Sequence, residues 1–148
     1  MRISVKGRYA LAALIQIANK KDAAEPVSII SISEALGLSK LFMEQVAGDL
    51  KKGGLITAVK GAKGGYQLCG DPADITVLDI LRPIESALFE TAQNETLEQS
   101  PVVSGALSAL VFSPLEKAIE SCLSGISLRN LLDYTLEHGD SQSYMLYI

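Results

Sequence analysis

The chain has 148 residues, of which 48% are hydrophobic and 20% charged, and its formal net charge is −4. That is enough apolar material for a real core, so composition excludes a disordered chain, and the length allows one domain or one small domain plus an oligomerisation extension. The charge is segregated: residues 1–68 hold ten Lys or Arg against five acids (+5), whereas residues 69–148 hold three against twelve (−9).

A basic half joined to an acidic half suggests a nucleic-acid face on the first and a protein-facing or solvating role for the second. No run of 18 apolar residues occurs; Tyr9–Ala18 is the longest candidate, and Gln16 with its basic flanks marks an ordinary buried helix rather than a membrane span. Nothing resembling a cleavage site follows Arg2 and Lys6, so a cytoplasmic protein is expected.

Residues 3–20 read as a first helix, with Tyr9, Leu11, Ala12, Leu14, Ile15 and Ala18 on one apolar face. Lys6 and Arg8 stand at its start, where they either meet a phosphate or are simply solvated. A loop over 21–27 ends in Pro26, and Ser28 is placed to cap a short helix that runs through Leu36. Gly37 supplies the tight or left-handed turn.

Ser39 then caps a second helix, about Ser39–Lys52, in which Met43, Val46, Ala47 and Leu50 recur at i, i+3, i+4 and i+7. Its other face carries Ser39, Lys40, Phe42, Glu44 and Gln45, so its first turns suit base edges in a major groove. Gly53-Gly54 stops it, with Lys51 and Lys52 in the last turn, favourable to the helix dipole and within reach of a DNA backbone.

Leu55–Lys60 alternates like a strand, Gly61–Gly65 is a basic hairpin loop, and Tyr66–Leu68 returns. The GxxGG loop has the composition of a phosphate cradle, but such a cradle precedes a helix and here a strand follows. The order helix, turn, helix, hairpin predicts a winged helix-turn-helix.

Asp71–Asp74 forms a turn, and Thr76 caps a helix to about Leu81 that Pro83 limits. Residues 86–101 are polar and acidic. A long helical stretch, Val102–Leu123, then carries Val103, Leu107, Leu110, Val111, Leu115, Ile119 and Leu123 in a near-continuous apolar stripe that Pro114 interrupts. The stripe exceeds what a small winged domain can cover, which points to pairing with a second copy; the alternative is a helix folded back on its own domain. Gly125 ends it, and Ser127 caps a further helix with Leu128, Leu131, Leu132 and Leu136.

The tail after His138 is polar until Tyr144-Met-Leu-Tyr-Ile148. The expected layout is therefore mainly α with a small β-wing. It divides into a DNA-binding domain over 1–82, a linker over 83–100, dimerisation helices over 101–138 and a tail over 139–148.

Cys69 and Cys122 lie 53 residues apart, without a CxxC, and His138 is the sole histidine. This leaves no usual ligand set for zinc or iron–sulfur, no catalytic constellation, and no basic neighbour that would lower a thiol pKa. The two thiols read as buried or partly buried. Neither a metal nor a cofactor is expected, and an enzyme is not.

In order along the chain stand Ser4-x-Lys6-Gly7-Arg8-Tyr9-Ala10-Leu11, Val27-Ser28, Ser39-x-x-Phe42-Met43-Glu44-Gln45, Lys60-Gly61-x-x-Gly64-Gly65-Tyr66-x-Leu68 and Ile75-Thr76-Val77-Leu78-Asp79. This order resembles the bacterial winged-helix regulators that include the iron–sulfur cluster regulator, the nitric-oxide-sensing repressor and the cysteine-metabolism repressor. The resemblance implies a homodimer paired through its long helices on a partly palindromic operator of double-stranded DNA.

By position, it makes Ser39, Phe42, Glu44 and Gln45 the groove readers. Lys6, Arg8, Ser28, Lys40, Lys51, Lys60, Gly61, Lys63, Gly64 and Tyr66 complete the DNA-binding set. Lys60 stands where the family carries arginine, and Ala62 and Lys63 replace its proline and glycine; lysine is a more hydrated point charge, poorer in a narrow groove. Cluster-binding members carry three closely spaced cysteines between wing and long helix, whereas residues 86–104 hold none.

The resemblance therefore implies the cluster-free branch, closest to the cysteine-metabolism repressor, with control of cysteine or sulfur metabolism. It further implies docking of the Tyr144, Tyr147 and Ile148 tail into cysteine synthase (O-acetylserine thiol-lyase). The alternative is a redox- or thiol-responsive regulator of other genes.

Overall fold

The structure, a computed structural model, describes residues 3–20, 25–90 and 99–145, with side chains as far as residue 139. Helix α1 spans Val5–Ala18, α2 Ile29–Leu36 and α3 Lys40–Lys52; an antiparallel hairpin follows, β1 Ile56–Val59 with β2 Gly65–Leu68, in the register Ile56 opposite Leu68 and Val59 opposite Gly65. Helices α4 Val77–Leu81 and α5 Ser86–Phe89 come next. Then α6 Pro101–Leu107, a π turn Ser108–Phe112 and α7 Ser113–Ser124 form one helical stretch, and α8 covers Leu128–Met145.

The helix starts obey local chemistry. Ser4, Ser28 and Ser39 each place Oγ where a first-turn N–H donates to it, from Gly7, Ser31 and Phe42 at 2.9, 3.1 and 3.2 Å. Thr76 and Asp79 make a full capping box. Gly37 closes α2 at φ 65°, a left-handed conformation that glycine adopts without a Cβ penalty.

The core collects Ala10, Ala13, Leu14 and Ile17 of α1 with Ile32, Met43, Val46, Ala47 and Leu50 of the helix-turn-helix, and Leu55, Ile56, Ile75 and Ile80 behind the wing. Two details depart from the sequence patterns. The most buried face of α1 runs through Ala10, Ala13 and Ile17 with Leu14, because small alanines let α2, α3 and α4 approach it closely. Leu55 and Ile56 are both buried and do not alternate: the Leu55 N–H donates to the Leu50 carbonyl at 3.0 Å, so Leu55 still belongs to the helix end.

The stretch expected as a linker begins inside the domain. Ile84 packs on the core, and Glu85, only 8% exposed, accepts at Oε1 from the Ser4 N–H at 2.7 Å. A carboxylate there also suits the positive end of the α1 dipole. A Cβ at Gly7 would collide with that carboxylate, which accounts for a glycine in the first turn of a helix.

Pro114 does not break the long stretch. It lacks the N–H that the Leu110 carbonyl would receive, and the turn just before it widens to π geometry, which carries the helix past the ring. Pro101–Ser124 thus runs 24 residues, long and apolar enough in composition to cross a membrane, with none of its most apolar window buried. Val103, Leu110, Val111 and Leu115 are exposed, and Leu107, Ile119 and Leu123 are half-buried.

The following turn is tied to the winged domain. The Val77 N–H donates to the Ile126 carbonyl at 2.8 Å, the Leu128 N–H to the Ile75 carbonyl at 2.7 Å, and Leu128 and Leu132 are buried. Val103, Leu110, Val111 and Leu115 of the stripe are thus exposed, whereas α7 also packs on α4, beside an Arg82–Glu120 ion pair of 3.0 Å, and the start of α8 folds back on the winged domain. Helix α8 also continues to Met145, past the residue where the polar composition suggested a tail. Tyr147 and Ile148 lie outside the described residues, as does the Tyr144 side chain.

Candidate nucleic-acid interface

Positive charge, an exposed helix face and a glycine-rich hairpin meet on one side of the molecule. The start of α2, the outer face of α3 and the wing enclose a groove of about 320 Å³, lined by Ser28, Ile30, Glu44, Ala58, Gly61, Gly64 and Tyr66 among others. The wing is held in place by backbone. Val27 and Tyr66 exchange two N–H···O bonds of 2.9 Å, so the chain entering α2 adds a one-residue rung to the hairpin. A Cβ at Gly65 would strike the Val27 carbonyl, and one at Gly64 the Val59 carbonyl. Both glycines thus serve close backbone approach, and the loop turns back into a strand without forming a nucleotide cradle.

Arg8, Lys40, Glu44, Gln45, Lys51, Lys60, Gly61 and Lys63 are all exposed. Lys40 and Glu44 face each other at 3.7 Å, an exposed i,i+4 pair worth only about 0.3–0.5 kcal/mol, so DNA can separate them at little cost. The Ser28 oxygen caps α2, which leaves its proton to donate outward beside the wing tip, where a helix N-terminus favours a phosphate. Lys20 and Lys63, together with the acid Glu25, line a second hollow between the wing and the entry to α2.

Two residues of the expected set do other work. Phe42 is half-buried, packs on the core and meets Tyr9 edge-on, with centroids 5.8 Å apart and planes at 84°. It props α3 against α1 and is not turned to the groove. Lys6 forms an ion pair with Asp49 of α3, which occupies its ammonium within the protein and ties the same two helices together. Ser39, as the N-cap, sets where α3 begins.

The sequence patterns passed over Leu41 and Ile30, which are 67% and 54% exposed. Nothing local marked Leu41, because the inward turn of Phe42 shows only once Tyr9 of α1 is packed against it. Glu85 was also passed over, because its partner Ser4 is 81 residues away. Cys69, just after β2, and Cys122, on α7, are both exposed rather than buried. Among the described residues, no three His, Cys, Asp or Glu side chains converge as metal ligands would.

Comparison with known proteins agrees with this geometry. The Rrf2 family model, described as an iron-dependent transcriptional regulator, matches residues 3–134. The chain is 34% identical to the HTH-type transcriptional regulator CymR of Bacillus subtilis (strain 168) over the whole of both chains. It is 32% identical to the HTH-type transcriptional regulator IscR of Photorhabdus laumondii, over 90% of this chain and 80% of that one. The solved structure of CymR, described as the global cysteine regulator of B. subtilis, is similar with a TM-score of 0.74 and 32% identity, covering 91% of this chain and 98% of that one.

Proposed function

Because the chain belongs to the Rrf2 family of transcriptional regulators, we propose that it is a cytoplasmic, homodimeric repressor that carries no iron–sulfur cluster and controls genes of cysteine or sulfur metabolism. The observation that carries the DNA-binding half is the groove in which α2, α3 and the wing meet beside exposed Lys40, Lys60 and Lys63. Phosphate contacts from the wing and helix ends set the register, Glu44 accepts from a cytosine amino group, and Gln45 pairs with adenine or a phosphate.

Dimerisation is supported by the exposed stripe of Val103, Leu110, Val111 and Leu115, apolar area that a second copy removes from water. A two-fold pair presents two reading helices, hence an operator with two related half-sites. The donor set does not fit the cluster that the family description brings to mind. The chain has two cysteines, one beside the wing and one on α7, and no thiol between residues 86 and 104.

The link to cysteine metabolism rests on the end-to-end similarity to CymR. The docking of Tyr144, Tyr147 and Ile148 into cysteine synthase rests on the apolar, aromatic character of that terminus.

Selection of bound sequences from random duplexes, with and without cysteine synthase and O-acetylserine, tests the whole reading. A two-half-site motif whose occupancy rises with the enzyme is expected, and no enriched motif in either condition contradicts it. Removing Tyr147-Ile148 should abolish capture of cysteine synthase while leaving DNA binding intact.

A further inference from the structure

The two most exposed aliphatic side chains of the helix-turn-helix both sit at leading ends of its helices: Leu41, 67% exposed at the second position of α3, and Ile30, 54% exposed at the second position of α2. A single exposed leucine needs no explanation. Here the setting does. Leu38 and Phe42, on either side of Leu41, already pack against the core, so Leu41 is not needed there. It precedes Glu44 by three residues and Gln45 by four, which puts all three on one exposed face, and Ile30 lines the groove into which Glu44 opens.

Resting on the reading of this face as the DNA interface, the geometry points to Leu41 as a specificity residue that recognises the 5-methyl group of a thymine in the major groove. The 5-methyl is the one apolar feature that a T·A pair presents there, and an aliphatic side chain discriminates it from cytosine without a hydrogen bond. Its neighbours supply what Leu41 lacks, because Lys40 meets phosphate and Glu44 and Gln45 carry polar contacts. Along the helix axis Leu41 precedes Glu44 and Gln45 by about 4.5–6 Å. At about 3.4 Å per base pair, the thymine lies one or two pairs from the base that Glu44 contacts. The bases read by α3 thus form a short mixed pattern, one pair marked by a methyl and its neighbours by polar edges.

The test uses the full chain and an operator drawn from the duplex selection. Each thymine of a half-site is replaced singly by deoxyuridine, which removes the methyl and keeps both pairing edges. The wild type, Leu41→Ala and Glu44→Ala are then titrated against every duplex. Burying one methyl is worth about a four-fold change in a binding constant. One uracil position per half-site should therefore weaken the wild type about four-fold, and both together about fifteen-fold.

Leu41→Ala should bind the thymine operator more weakly and show no loss with uracil at that position, whereas Glu44→Ala should keep the uracil effect. Alanine at an exposed helical site favours the helix, so an unchanged melting temperature verifies folding. If the wild type prefers its operator to random duplex and no uracil effect disappears in Leu41→Ala, the assignment of Leu41 is overturned alone. If the wild type shows no preference at all, the DNA-reading face and this assignment fall together.

Discussion

The wing is attached to the reading helices by two backbone hydrogen bonds, and Gly65→Ala should detach it. The added Cβ would clash with the Val27 carbonyl, so either the hairpin or the chain entering α2 must move. Moving it breaks the two Val27–Tyr66 bonds, both 2.9 Å long. Each is worth about 0.5–1.5 kcal/mol net, and forcing a methyl into a filled space costs about 1–3 kcal/mol. A total of about 2–6 kcal/mol is a large share of a stability of about 5–15 kcal/mol.

Urea unfolding at one fixed protein concentration measures this, since dimerisation would make the midpoint concentration-dependent. Gly48→Ala is the control: it lies in the interior of α3 with open space at its Cβ and should stabilise by about 0.5–1 kcal/mol. The reasoning is refuted if Gly65→Ala unfolds within about 0.5 kcal/mol of the wild type and binds operator as tightly.

Other substitutions separate support from recognition. Glu85→Ala removes a charge-assisted hydrogen bond to the Ser4 N–H and should cost about 1.5–3 kcal/mol in the same unfolding assay, although it lies outside the helix-turn-helix. Glu44→Ala should reduce discrimination between operator and random duplex more than total affinity; equal losses on both in a mobility-shift series would contradict its role. Lys60→Ala should weaken both duplexes alike and lower the salt slope by about one for each phosphate that the lysine neutralises, so an unchanged slope would remove Lys60 from the interface.

What was legible in the sequence was whatever is decided within a few residues. Ser28, Ser39 and Thr76 cap the helices whose starts they mark, Gly37 makes the turn, and the hairpin lies where alternation and glycine put it. The charge segregation put the excess of basic residues in the half that folds as the helix-turn-helix and wing. What stayed hidden depends on partners distant in the chain. Nothing local to Glu85 shows that it caps α1, and nothing near Tyr66 shows that Val27 will extend the hairpin.

Phe42 illustrates a subtler loss. Helical periodicity places it beside Glu44, yet Tyr9 from another helix draws it inward. The long helix shows the reverse case, in which a proline with the look of a break is absorbed by one π turn. The leucines at the start of α8 share the composition of α7 and so suggest one pairing unit; the backbone bonds to Ile75 and Val77 and the burial of Leu128 and Leu132 assign them to the winged domain.

The mass of the purified protein in solution, alone and on its selected duplex, bears most directly on the claim that two copies present paired reading helices to DNA. Analytical ultracentrifugation should give a dimer of the 15.8 kDa chain that adds to one duplex as a unit. Leu110→Glu, placed in the exposed stripe, should yield monomers that bind poorly. A wild-type chain that sediments as a monomer and leaves duplexes unbound at low salt would contradict the account.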